Sequence, residues 1–253
     1  MIIASLLENL ENEKRVSITP DIISKYIALG FEVILQEGYG EHLGFSKSEY
    51  LQKGVKFYKN HAEIIENANI IVQMNFLEKD ITSNFKSNQT LIGVLNPYQN
   101  KKELEELVKR KINIFSLELL PRITRAQSMD ILSSQANLAG YKAVVESFSV
   151  FGKAIPMMMT AAGTVPAAKV LVVGAGVAGL QAIATAKRMG AIVFATDVRM
   201  ASKEQVESLG GKFLTVEGSE NLETEGGYAK EASEEFKQKQ KELIKETLKK
   251  TDI

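Results

Sequence analysis

The sequence predicts an α/β protein made of two doubly wound, parallel-sheet domains. Three observations carry this expectation. Short apolar runs alternate with helical stretches through the first half of the chain. A long segment follows in which apolar residues recur around most of a helix rather than along one stripe. A glycine-rich turn, Gly174-Ala-Gly-Val-Ala-Gly179, then joins a second set of alternating runs. At 253 residues the chain is long enough to bury two such cores.

Taken in order, Ile2–Leu7 reads as a strand. Thr19-Pro20 then opens a helix, with Thr as N-cap and Pro at the first helical position, and Gly30 closes it. Phe31–Gln36 is the next strand, and Ser46-Lys-Ser-Glu49 is a capping box leading a helix to Gly54. Further strands are expected at Val55–Phe57, Asn69–Met74, Thr90–Val94 and Ile112–Leu117, with helical stretches between them that include Lys101–Arg110. These runs define a first domain over 1–125. A linking helix is assigned to 126–153, helical over roughly Ala126–Val150, and a second domain to 154–253. The second domain holds a strand ending in Val173, the glycine turn, a helix over Val177–Met189 and a strand over Ile192–Asp197. It continues with a helix over Ser202–Leu209, a strand over Lys212–Val216 and a charged helix over Tyr228–Lys250. Only the first mononucleotide half of a dinucleotide fold is present, so this domain is expected to be C-terminally truncated. Its first strand would then lack a neighbour and one apolar face would lie uncovered, whether the protein is a truncated product or a partner supplies the remainder.

Composition removes several classes of function. The 31 basic and 31 acidic residues give a net charge of +0, with no nucleic-acid footprint or polybasic anchor. The absence of cysteine excludes disulfides, thiolate nucleophiles and cysteine-based metal sites. The start, Met1-Ile-Ile-Ala-Ser-Leu-Leu-Glu8, is too short and too soon acidic for a signal peptide. No apolar run reaches the roughly 18 residues of a membrane span, so a cytosolic protein or the soluble portion of a larger one is expected. No metal site is expected.

The glycine turn carries the chemistry. In a strand–turn–helix the glycines allow a tight bend and let the backbone approach a pyrophosphate, while the helix N-terminus offers N–H groups and a positive dipole end. Asp197 lies about 20 residues further on, where a carboxylate can accept hydrogen bonds from both ribose hydroxyls of NAD. A 2′-phosphate would meet its charge, which favours NAD(H) over NADP(H), although the nearby Arg199 could accommodate such a phosphate.

Acid–base equipment is thin. His42 and His61 read as surface or capping residues rather than general bases. A nicotinamide carries its own hydride, so the protein need only bind, orient and exclude water. The segment suited to that is 120–142, where Arg122, Gln127, Asp130 and Ser133 crowd donors and acceptors into a loop opening a helix. Gln, Ser and Asp can match the two donors and one acceptor of a carboxamide. Equally, Thr124 or Ser128 can be an N-cap and Asp130 a first-turn charge.

At this segment the chain resembles the NAD(H)-binding domain of proton-translocating NAD(P) transhydrogenase, alpha or alpha-1 subunit. The resemblance rests on Pro121-Arg-Ile-Thr-Arg-Ala-Gln-Ser-Met-Asp130, Leu132–Lys142, Pro156–Lys169 and Gly174–Gln181. Asp197-Val-Arg199, Lys203–Gly210 and Gly226–Glu231 complete it, so that it spans nearly the whole chain. It implies two Rossmann-like domains. Arg122, Gln127, Asp130 and Ser133 are implied to contact the nicotinamide and its carboxamide, with Ser128 and Met129 beside them. Gly174, Gly176, Val177 and Gly179 would hold the pyrophosphate and adenosine side, Asp197 the ribose with Val198 and Arg199 next to it. Gly227 and Tyr228 would belong to a loop closing over the nucleotide. It further implies a homodimer on the cytoplasmic face of the inner membrane, partnered by membrane-spanning subunits and by a subunit holding NADP(H), with hydride transfer coupled to proton translocation.

Alanine dehydrogenase is the related alternative, through Asn12–Pro20, where its substrate-binding Arg would match Arg15. Its substrate Lys would fall at Asn75 and its catalytic His at Asn96. Lacking that cation and that acid–base group, 2-oxo-acid reduction loses its main electrostatic help, which favours the transhydrogenase. Arg15 could equally be a structural salt-bridge residue, and a nucleotide-binding remnant without activity is the other alternative.

Overall fold

The computed structural model describes residues 1–121, 123–216 and 232–253. The chain divides into two units, Met1–Asp130 and Ile131–Ile253.

The first unit is a six-stranded parallel sheet in the order β3-β2-β1-β4-β5-β6. The strands are β1 (Ile2–Ser5), β2 (Glu32–Gln36), β3 (Lys56–Tyr58), β4 (Ile70–Gln73), β5 (Thr90–Gly93) and β6 (Asn113–Ser116). Every pairing is parallel, with Ile3 opposite both Val33 and Ile70. Alternate residues feed two separate cores. Ala4, Ile34, Ile71 and Leu91 point into one, while Ile3, Val33 and Leu35 point into the other with Tyr39 and Tyr50. Both faces are thus covered, which is why Val33-Ile34-Leu35 reads as an unbroken apolar run. The strand order reverses between β1 and β4.

The crossover helices are α1 (Pro20–Ala28), α2 (Lys47–Gln52), α3 (His61–Asn67), α4 (Lys79–Thr82) and α5 (Lys101–Lys109). Ser46 and Glu49 close the expected capping box at α2. Thr19 occupies the N-cap of α1, but its side chain makes no cap hydrogen bond; Pro20, which has no N–H to satisfy, sets the start instead. His61 begins α3 behind the Asn60 cap.

The segment before the second unit departs from the expected continuous helix over 126–150. Thr124–Met129 is a 3-10 turn, and α6 runs Ile131–Val150. The break is at Asp130, whose ψ of 85° lies outside the helical range. Neither Thr124 nor Ser128 is an N-cap, since Ile123 holds that position of the 3-10 turn.

In the second unit, β9 (Lys169–Val173), β10 (Ile192–Thr196) and the two-residue β11 (Lys212–Phe213) form a parallel sheet in the order β11-β10-β9. An antiparallel hairpin of β7 (Met158–Thr160) and β8 (Gly163–Val165) precedes it and was not expected from the alternating pattern. Helices α7 (Val177–Arg188) and α8 (Ser202–Ser208) connect the sheet, and α9 (Glu234–Leu248) follows. The start expected for the last helix, Tyr228, lies outside the described residues. Its N-terminus is set by the Ser233 hydroxyl, which accepts from the Phe236 N–H. The core gathers Val144 and Phe148 of α6 with Ile183, Ala186, Val193, Ala195 and Val206. Helix α6 crosses α7 at Gly140, where a Cβ would lie 2.0 Å from the Ala178 carbonyl oxygen, so only glycine admits the approach. The outer edge of β9 is not bare as expected. Ile253 donates its N–H to the Lys169 carbonyl at 3.1 Å and accepts the Leu171 N–H at 2.8 Å, a parallel bridge.

Candidate functional site

The glycine turn sits where β9 hands over to α7. Gly174 has φ +95°, in the left-handed region that side chains avoid, and its N–H donates to the Thr196 carbonyl at 2.8 Å. This bond ties the turn to the end of β10. Gly179 is fixed by close packing: a Cβ there would meet the Gly174 carbonyl oxygen at 1.8 Å. Gly176 caps α7 and has no side chain to offer the helix's first N–H groups. A Cβ on Gly176 would have only Arg199 Nη2, at 3.7 Å, within reach, so the turn presents bare backbone there. Val177, the first residue of α7, is exposed.

Asp197 follows β10 and is brought onto this turn. One carboxylate oxygen, Oδ2, accepts the Ala175 N–H at 2.7 Å and Arg199 Nη2 at 3.0 Å. The other, Oδ1, accepts the Arg199 backbone N–H at 2.8 Å and Nε at 2.9 Å. Burial works to raise the Asp197 carboxyl, but the Arg199 guanidinium and the Arg199 and Ala175 backbone N–H groups outweigh it and hold the group below its ordinary range. Thus Gly174, Gly176, Val177, Gly179, Asp197 and Arg199 converge in the second unit, and Val198, half-buried, joins the last two. The spacing of Asp197 made its place legible in the sequence. The N–H of Ala175 as its partner was not, because nothing in a side chain marks it.

The segment expected to serve a nicotinamide is shared between the two units. In the first unit Gln127, Ser128 and Met129 are exposed on the 3-10 turn that the buried Ala126 anchors, and Asp130 is half-buried at its end. In the second unit Ser133 is half-buried in the first turn of α6. Arg122, Gly227 and Tyr228 lie outside the described residues.

A second cleft, which no pattern in the sequence marks, lies in the first unit at the carboxyl ends of β1 and β4, where the strand order reverses. It has a volume of about 500 Å³ and is lined by Glu8, Asn12, Glu13, Asn75, Phe76 and Glu78 among others. Burial pushes the Glu8 carboxyl up, against hydrogen bonds from the Met74 and Asn75 backbone N–H groups. Glu13 binds Arg15 through Nε at 2.8 Å and Nη2 at 2.6 Å, and accepts Asn75 Nδ2 at 3.2 Å. The Arg15 hydrogen bonds, against the opposing effect of burial, bring the Glu13 carboxyl down to about 2. Asn96 has φ +47° and donates its N–H to Glu118 Oε1 at 2.6 Å. Arg15 is therefore a salt-bridge partner of Glu13, and the two asparagines lack the charge and the acid–base capacity for a 2-oxo acid. His42 hydrogen-bonds the Lys14 carbonyl through Nε2 at 2.7 Å on the surface. Among the described residues no cluster of metal-ligating side chains occurs, and no helix is long and apolar enough to cross a membrane.

Comparison with known proteins follows the same division of the chain. Residues 6–139 match the family "Alanine dehydrogenase/PNT, N-terminal domain" and residues 143–253 match "Alanine dehydrogenase/PNT, C-terminal domain". The first portion of NAD(P) transhydrogenase subunit alpha from Rhodospirillum rubrum, a separate chain there, is 50% identical over 100% of this chain and 68% of its own length. The NAD(P) transhydrogenase subunit alpha of Cereibacter sphaeroides is 42% identical over 100% of this chain and 49% of its own length. Among solved structures, the transhydrogenase from Sinorhizobium meliloti matches with a TM-score of 0.81 and 45% identity, covering 85% of this chain and 64% of that one. The chain thus spans between half and two thirds of the length of these relatives.

Proposed function

Since the chain belongs to the alanine dehydrogenase/PNT family, we propose that it is the NAD(H)-binding component of a proton-translocating NAD(P) transhydrogenase. The observation that carries this reading is the placement of the Asp197 carboxylate on the Gly174–Gly179 turn, tied there by the Ala175 N–H. The bare glycine cap of α7 suits a pyrophosphate, and the carboxylate suits a ribose diol while opposing a 2′-phosphate.

A bound nicotinamide supplies the hydride. The protein's residues bind and orient it: Gly174, Gly176, Val177 and Gly179 along the pyrophosphate, Asp197, Val198 and Arg199 at the adenosine end, and Arg122, Gln127, Ser128, Met129, Asp130 and Ser133 at the carboxamide and ring. Gly227 and Tyr228 would close over the nucleotide. The acceptor, NADP⁺, is held by a partner subunit, and apposition of the two rings needs no acid–base group on this chain. Neither His42 nor His61 therefore has a role in it. Two such chains would form a homodimer, docked through membrane-spanning partners on the cytoplasmic face of the inner membrane and coupled to proton translocation. Relatives named as the alpha subunit, and others named as the first portion of that subunit, support a role within a larger assembly.

The alternative of a stand-alone alanine dehydrogenase is disfavoured by Arg15 being engaged with Glu13 and by Asn75 and Asn96 at the two other positions that activity needs. The test is hydride exchange between NADH and an NADP⁺ analogue in the assembled complex. Asp130→Asn is expected to slow exchange by about tenfold or more while NADH affinity changes much less. Equal losses in both would remove the proposed role of this segment. NADH oxidation driven by pyruvate and ammonia would establish the alternative.

A further inference from the structure

Asp197 makes more hydrogen bonds than a ribose-binding carboxylate can keep. A carboxylate offers about four lone-pair positions, and here all four are filled. Two donors are backbone N–H groups, of Ala175 and Arg199, which the turn holds in place. The other two, Nε and Nη2, belong to one guanidinium on a rotatable side chain. A vicinal diol donates two hydrogen bonds to the same carboxylate, so two of the present donors must leave for it to bind. The backbone pair cannot leave without undoing the turn. The guanidinium can, and it lies against the glycine turn, with Nη2 the nearest atom to a Cβ built on Gly176.

Resting on the reading that this turn holds NAD(H), we propose that Arg199 is a specificity-determining latch. Its guanidinium occupies the two acceptor positions of Asp197 that an adenosine ribose requires, and it is displaced when NAD(H) binds. Once displaced, its planar fork faces the 2′ position, where it can take a phosphate bidentately. Arg199 therefore weakens NAD(H) binding by competition and softens the exclusion of NADP(H) that Asp197 alone would impose. The pair sets a discrimination lower than the carboxylate by itself could reach. A fixed scaffold role, in which Arg199 merely orients Asp197, makes the opposite prediction for NADH.

The test is equilibrium titration of the whole chain with NADH and, separately, NADPH. Arg199→Met keeps most of the aliphatic stem and removes the fork. It is expected to bind NADH about threefold to tenfold more tightly and NADPH about tenfold more weakly. Arg199→Lys keeps the charge without the fork, and is expected to gain NADH affinity while retaining most NADPH binding; it also serves if the Met variant fails to fold. Loss of NADH affinity in both variants, or an unchanged NADH-to-NADPH ratio in either, overturns the latch. Gly176→Val separates this from failure of the site itself. Its φ of −77° admits valine, and the side chain would fill the turn. Wild-type protein that binds no NADH, or a Gly176→Val variant that binds it unchanged, removes the nucleotide site and the latch with it. Binding lost in Gly176→Val with no change in Arg199→Met overturns the latch alone.

Discussion

Thr196 stands next to Asp197, buried to 1% exposure, with a hydroxyl that has no hydrogen-bond partner. A buried unsatisfied hydroxyl carries its desolvation cost uncompensated, so Thr196→Val, which keeps the shape, is expected to stabilise the chain by about 1 kcal/mol; a lower denaturant midpoint would contradict this. At Glu13 the relevant quantity is a proton. Its carboxyl is lowered from 4.5 to about 2 by the Arg15 hydrogen bonds, against burial, so folding favours the ionised form. The resulting stability is fully present above the ordinary carboxyl value and is lost as pH falls through the lowered one. The stability gap between wild type and Glu13→Gln should therefore be constant above about pH 5 and shrink toward about pH 2, as read from urea melts at each pH. A gap independent of pH over that window would show that the pairing contributes nothing. The sequence left Arg15 open between substrate binding and a salt bridge, because which carboxylate it meets depends on how the loop after β1 folds back.

At the level of elements, the most demanding contact is that between α6 and α7. Gly140→Ala would place a methyl group 2.0 Å from the Ala178 carbonyl oxygen, so the helices must separate. A loss of about 1–3 kcal/mol or more is expected, while Gly152→Ala, with open space around it, should change little. Similar losses for both in thermal melts would contradict the packing account. Most strands and helices were legible to within a few residues because each carries its own local signal. The Ser46–Glu49 box and the Val33-Ile34-Leu35 run are examples. The break at Asp130 was not legible, since the residues around it are acceptable helix formers and only the ψ of Asp130 interrupts them. The β7–β8 hairpin was missed because its strands are three residues each, shorter than any alternation can show.

For the whole molecule, the doubly wound order of the first unit and the β11-β10-β9 sheet of the second follow from apolar runs separated by helices, a pattern visible along the chain. The glycine turn and Asp197 were legible by spacing. The saturation of Asp197 by Arg199 was not, since side-chain pairing two residues apart depends on the turn between them. The cleft at the reversal of strand order was likewise hidden, being assembled from loops after β1 and β4 that are distant in sequence. The central claim is that the second unit recognises NAD(H) through the carboxylate on the glycine turn. Calorimetric titration of the chain with NADH and NADPH, repeated for Asp197→Ser, tests it most directly. Wild-type protein should bind NADH more tightly than NADPH, and Asp197→Ser should abolish or invert that order with a loss of about tenfold or more in NADH affinity. Tighter binding of NADPH by the wild type, or an unchanged preference in the variant, would contradict it.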